Sequence, residues 1–153
     1  MNSIIIFLAL YLYLFIIILG FLSFFFLTAA KRKDMLKLSL LTFPFSFLLG
    51  KLLSFLFYNP RPFVLEHIHP LIPHAPDNGF PSDHALLTMT IAAVVVTYNR
   101  KLGIFLFCLA LAIGIARILA NVHHLIDILG SICIAAVTTY LSWLILRKAK
   151  AIL

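Results

Sequence analysis

Residues 4 to 30 contain no charged side chain. Four further stretches are nearly as apolar: 38 to 58, broken by Lys51; 84 to 99; 102 to 120, with Arg117 near its end; and 125 to 146, with Asp127 near its start. In lipid every backbone polar group must be satisfied internally, so such stretches are restricted to helices. A hydrocarbon core of about 30 Å takes roughly 20 apolar residues per helix. The 153 residues, 63% of them hydrophobic and with a mean hydropathy of +1.12, leave room for one compact bundle. The expectation is an all-α, polytopic membrane protein of about five transmembrane helices, forming a single domain over residues 1–153. The first stretch lacks a basic n-region, is too long for a signal-peptide core and ends in Lys31, Arg32 and Lys33, so it reads as a permanent span. Gly20, Gly50, Gly103, Gly114 and Gly130 lie in or beside spans, where close helix packing accounts for them.

Charge sets the orientation. With the KRKDMLK segment taken as a cytoplasmic turn, nine of the twelve basic residues fall on the inner side: Lys31, Arg32, Lys33, Lys37, Arg100, Lys101, Arg147, Lys148 and Lys150. The N-terminus then faces out and the C-terminus in. The net charge of +7 is a topology signal plus attraction to anionic headgroups, and no nucleic-acid partner is implied. The lipid bilayer is the partner.

The remaining polar groups gather on the opposite face. Lys51, Arg61 and Arg117, four acids (Glu66, Asp77, Asp83 and Asp127) and all six histidines are expected in the outer half. Ionisable groups at membrane depth are costly and usually paired or functional. Two buried guanidiniums suit a phosphate, because they stay charged and present donors in a fork. For Arg61 alone, an interfacial arginine snorkelling toward headgroups is the plainer reading.

In ARILANVHHLID, Arg117 precedes His123 by six positions and Asp127 follows it by four, one helical turn away. A bond from one ring nitrogen of His123 to Asp127 fixes the tautomer and leaves the other nitrogen as a nucleophile. FPSDH puts Ser82, Asp83 and His84 at a helix start, where free N–H groups and the helix dipole favour an anion. Gly79 permits close backbone approach. His84 is placed to donate a proton to a leaving oxygen and later to withdraw one from water. Plain N-capping also explains Ser82 and Asp83, though not His84.

Together NPRPF at 59–63, FPSDH at 80–84 and ARILANVHHLID at 116–127 resemble the three-part signature of the type 2 phosphatidic-acid phosphatase superfamily of membrane lipid phosphatases. The stretch RPFVLEHIHPLIPHAPDNGFPSDH is similar to the branch that hydrolyses undecaprenyl pyrophosphate and confers bacitracin resistance. The motif-bearing core runs from about residue 51 to about 130. The resemblance implies His123 as nucleophile, Asp127 as its partner and His84 as general acid and then base. It implies Arg61, Arg117, Ser82 and the Gly79 region as phosphate cradle, with no metal or other cofactor.

Three departures stand out. The family's lysine seven residues before the motif arginine is Ser54 here, with Lys51 as an auxiliary contact ten before. Ala116 replaces the usual serine before Arg117, and a sixth span is lacking. His67, His69, His74 and His124 read as interfacial histidines, with lining of a headgroup entrance as the alternative, and Cys108 and Cys133 as small packing residues without disulfide or zinc.

The implied function is hydrolysis of the terminal phosphate of a polyprenyl diphosphate through a phosphohistidine, in a bacterial cell membrane, with the site facing the periplasm or exterior. Phosphatidylglycerol phosphate, phosphatidic acid and a lipid A phosphate are alternative substrates. From a different class, HIH and HH suggest a metal-binding or transport protein, against which the two arginines speak.

Overall fold

The computed structural model describes residues 2–152, with side chains through residue 149, so the expected inner-side Lys150 lies outside the described side chains. The chain forms seven helices: α1 (Asn2–Leu10), α2 (Leu12–Phe25), α3 (Ala29–Leu56), α4 (Pro62–Leu65), α5 (Asp83–Val96), α6 (Arg100–Leu119) and α7 (Leu125–Ile152). Among the described residues there is no strand, only an isolated antiparallel bridge between Pro60 and Asn78.

Three helices, α3, α6 and α7, are each long and apolar enough to cross a membrane, and α1 with α2 makes a fourth if the pair is counted as one bent span. The single span expected over 4–30 is therefore two helices meeting at 42°. No Pro or Gly stands at the break. Instead Nη1 of Arg117 donates to the Ala9 carbonyl beside it, 3.3 Å away, and a side chain inserted into a helical ladder is a recognised cause of a kink.

The KRKDMLK turn is also corrected. The chain reverses at 26–28, and Lys31 to Lys37 lie within the first turns of α3. The segment is rich in good helix formers and has no breaker, and the Thr28 hydroxyl caps the helix by accepting from the Lys31 N–H at 3.5 Å. At 28 residues α3 is about 42 Å long, enough to carry its basic first turns past the hydrocarbon into the headgroups.

The central helix is α5, which packs against α2, α3, α6 and α7. Nine of its fourteen residues are buried, from Ala85 to Val95. At about 21 Å it is shorter than the apolar core of a bilayer. The space beyond its N-terminus is filled by the 57–82 segment, and there the charged groups collect. Close approach of α5 and α6 requires Gly103, since a Cβ there would collide with the Val96 backbone. Buried Ser46 of α3 and Thr138 of α7 share a hydroxyl hydrogen bond of 2.6 Å, a polar link between helices that apolar packing alone would not fix in register. Cys108 and Cys133, expected as packing residues, are exposed on the outside of the bundle.

The 57–82 segment is tied to the α6–α7 turn by backbone bonds from Phe63 N–H to the Asn121 carbonyl (3.2 Å) and from Leu71 N–H to the Ala120 carbonyl (3.1 Å). Asn121 adopts a positive φ of 59°, which asparagine tolerates better than most residues. These ties bring the arginine of one motif against the histidine of another.

Candidate active site

His123 lies in the turn just before α7 and is 2% exposed. Its Nδ1 is 3.2 Å from Oδ2 of Asp127, a carboxylate that is fully buried. Its Nε2 is 3.2 Å from Nη1 of Arg61. A guanidinium only donates, so Nε2 must be the lone-pair nitrogen and Nδ1–H must face the carboxylate. Asp127 has two further donors, because Oδ2 also accepts the His124 N–H at 2.8 Å and Oδ1 accepts from Asn59 Nδ2 at 2.7 Å.

Arg61 is buried and held on three sides. Nε donates to Oδ1 of Asp77 at 2.7 Å, Nη1 to the Val122 carbonyl at 2.7 Å, and Nη2 to the Asn78 carbonyl at 3.3 Å. Burial of Asp77 raises its carboxyl, but the bond and charge of Arg61 outweigh this and hold it below its ordinary value. Burial pushes the His123 imidazole below its usual value of 6.5; Asp127 opposes this, while Arg117 and Arg61 add to it. The free base is thus the resting form.

Ser82 is the N-cap residue of α5, yet its side chain makes no capping bond. Its hydroxyl is buried and without a partner, as is Nε of Arg117. Buried donors are normally satisfied, and these are two of six unpartnered buried side-chain atoms among the described residues, the others lying on Arg32, Thr42, Thr139 and Ser142. Capping therefore does not account for the Ser82 side chain. The serine is held through its backbone, where Ser131 Oγ donates to the Ser82 and Asp127 carbonyls at 3.0 and 2.8 Å.

His84 occupies the first turn of α5 with its ring edge-on to Tyr13 of α2, centroids 4.9 Å apart. It lies within electrostatic reach of Arg117 and His123. Gly79 stands against the Asp127 carboxylate: a Cβ there would come 2.9 Å from Oδ2 of Asp127 and 3.1 Å from the Asn59 carbonyl oxygen. Lys51 is exposed, 3.8 Å from Asp83 and over the Phe47 ring. At the position of the family's lysine, Ser54 instead accepts from Nδ2 of Asn78 at 3.1 Å. Ala116 is buried in a small apolar cluster with Ala9 and Ile72.

Three residues near the site had no such place in the sequence reading. Asn59 and Asn78 are hydrogen-bonding hubs, and His74 stands over His123 with ring centroids 6.1 Å apart and planes near perpendicular. Burial, reinforced by Arg61 and Arg117, lowers the His74 imidazole against the raising pull of the Ala75 carbonyl and Asp77. Asn59 reads in sequence only as a turn-former before proline. Among the described residues, no three His, Cys, Asp or Glu side chains are grouped to hold a metal ion.

The fold is a membrane helical bundle that buries two arginines and a histidine oriented by a carboxylate. Residues 35–151 match the PAP2 superfamily, and the chain belongs to it. It is 39% identical over 90 residues to undecaprenyl-diphosphatase BcrC of Bacillus subtilis, covering 59% of this chain and 47% of that protein. It is 33% identical over 129 residues to a Bacillus licheniformis protein named bacitracin transport permease protein BcrC, covering 84% and 63%. The chain thus spans about half to under two thirds of the length of these curated relatives. Among solved structures it resembles Aquifex aeolicus LpxE with a TM-score of 0.67 and 25% identity, covering 92% of this chain and 93% of that one. A Bacillus subtilis PAP2-type phosphatidylglycerolphosphate phosphatase shares the fold, with a TM-score of 0.64 at 23% identity, covering 96% and 77%.

Proposed function

We propose that this chain hydrolyses the terminal phosphate of a polyprenyl diphosphate, converting undecaprenyl diphosphate to undecaprenyl phosphate. The observation that carries the reading is the polarised His123, with Nδ1 on Asp127 and the Nε2 lone pair facing Arg61. Phosphate oxygens take over the Arg61 donor and the idle donors of Ser82 and Arg117, freeing Nε2 to attack the terminal phosphorus. The N–P bond forms as the anhydride P–O bond breaks, and His84 passes a proton to the departing polyprenyl phosphate. Water then attacks phosphorus and gives a proton to His84, the N–P bond breaks, and inorganic phosphate leaves with His123 restored. Cationic side chains stabilise the charge that develops on the transferring group.

The relative named as a diphosphatase supports this substrate over other lipid phosphates. The name of the other relative refers to transport, but transport alone gives no role to a histidine oriented by a carboxylate beside idle phosphate donors. The reading carries an orientation: cell membrane, N-terminus out, C-terminus in, and the site on the periplasmic or extracellular side, which the clustering of basic residues at the opposite end supports.

The test is phosphate release from undecaprenyl diphosphate by detergent-purified protein in excess EDTA, with His123→Ala in parallel and phosphatidic acid as competing substrate. Release by wild type alone, favouring the diphosphate, is the expected result. No release, or equal release by the variant, contradicts it.

A further inference from the structure

The three motifs leave one strong bond at the site without a role. Nδ2 of Asn59 donates to Oδ1 of Asp127 at 2.7 Å, across 68 positions of sequence. We infer that Asn59 is a positioning residue, which, granted the phosphatase reading, keeps Asp127 ionised and aimed so that His123 presents Nε2 to phosphorus.

The argument starts from the carboxylate. Asp127 is fully buried, and a buried carboxylate is tolerated only when its oxygens are well supplied with donors. Oδ2 has two, from His123 and the His124 N–H, whereas the side-chain bond to Oδ1 comes from Asn59. Without that donor the carboxylate can rotate or take up a proton. Either change weakens its hold on His123 Nδ1–H and so on the tautomer.

Asn59 is in turn fixed through its backbone. Its N–H donates to Oδ1 of Asn78 at 2.9 Å, and its carbonyl accepts the Gly79 N–H at 2.8 Å. Asn78 is anchored to the end of α3, since its Nδ2 donates to the Ser54 and Phe57 carbonyls at 2.7 and 2.9 Å. A relay thus runs from the end of α3 through Asn78 and Asn59 to Asp127 and His123. Because the backbone of Asn59 makes the loop contacts, its side chain is free to serve the carboxylate.

Two variants separate this role from simple loop support. Asn59→Leu removes the donor at similar size. Losing a hydrogen bond to a charged group is worth about 10- to 100-fold in rate, so kcat is expected to fall by that factor with KM within about twofold. Asn59→Asp keeps the shape and restores a donor only when the carboxyl pair holds a proton. The ratio of Asn59→Asp to wild-type kcat is therefore expected to climb as pH falls from about 8 to about 5.5, while the Asn59→Leu ratio does not climb. Wild-type kcat in both variants overturns the inference. So does a pH-independent Asn59→Asp ratio, or a loss confined to thermal stability. Failure of the phosphatase reading would show differently, as a wild type inactive on the diphosphate.

Discussion

Nη1 of Arg61 lies 3.2 Å from Nε2 of His123, though 62 positions separate the two in sequence. On the proposed reading, the contact sets the phosphate-binding cation beside the nucleophilic nitrogen. On that reading the resting site holds its lone pair in check with the same donor that the substrate claims. Substrate binding and release of the nucleophile then become one event, which favours reaction with a phosphate over stray electrophiles.

The idle hydroxyl of Ser82 gives the sharpest split between stability and catalysis. Because it has no protein partner, Ser82→Ala removes no internal hydrogen bond. Thermal unfolding in detergent should be unchanged or slightly raised. A bond to a phosphate oxygen should be lost, costing about tenfold or more in kcat/KM. A fall in Tm by several degrees at full activity would place the hydroxyl in the packing instead.

For the pH dependence, attack requires the free base of His123. Burial lowers its imidazole below 6.5 in spite of Asp127, so the acid limb of kcat/KM assigned to His123 should fall below that ordinary value. Asp127 opposes the shift, so Asp127→Asn should move the limb further toward acid while lowering kcat by about 10²- to 10⁴-fold. The check is a kcat/KM profile for both proteins, and an acid limb moved upward in the variant contradicts the assignment.

Gly79 lies against both Asp127 and the backbone of Asn59. A methyl there would press on Oδ2 of Asp127 at 2.9 Å and on the Asn59 carbonyl oxygen at 3.1 Å. Gly79→Ala should therefore lower kcat by displacing the carboxylate, by about tenfold if one hydrogen bond to it is lost. Gly103→Ala, remote from the site, should reduce thermal stability first, since its Cβ meets the Val96 backbone. Equal effects of the two on Tm and kcat would argue against this division.

Apolar runs made the bundle legible, because a membrane leaves the backbone little choice but helix. The bend between α1 and α2 was not legible, since its companion is Arg117, 108 positions from Ala9. The KRKDMLK segment misled because charge density resembles a turn, whereas those residues are good helix formers and α3 is long enough to carry them into the headgroups. At the site, His123 and Asp127 could be paired by spacing alone, being one turn apart. Asn59, Asn78 and His74 could not, because their partners come from other segments and an asparagine beside a proline or glycine reads as turn chemistry. Lys51 shows the reverse: its type fits a phosphate site, but its exposed place beside Asp83 follows only from packing.

The most direct measurement of the central claim is trapping of the covalent intermediate. Protein mixed with undecaprenyl diphosphate labelled in its terminal phosphate is quenched in alkali within one turnover and mapped by peptide. The account predicts an acid-labile, alkali-stable phosphate on His123, absent in His123→Ala and accumulating in a variant of His84. Turnover without a labelled protein, or label that persists in His123→Ala, would contradict it.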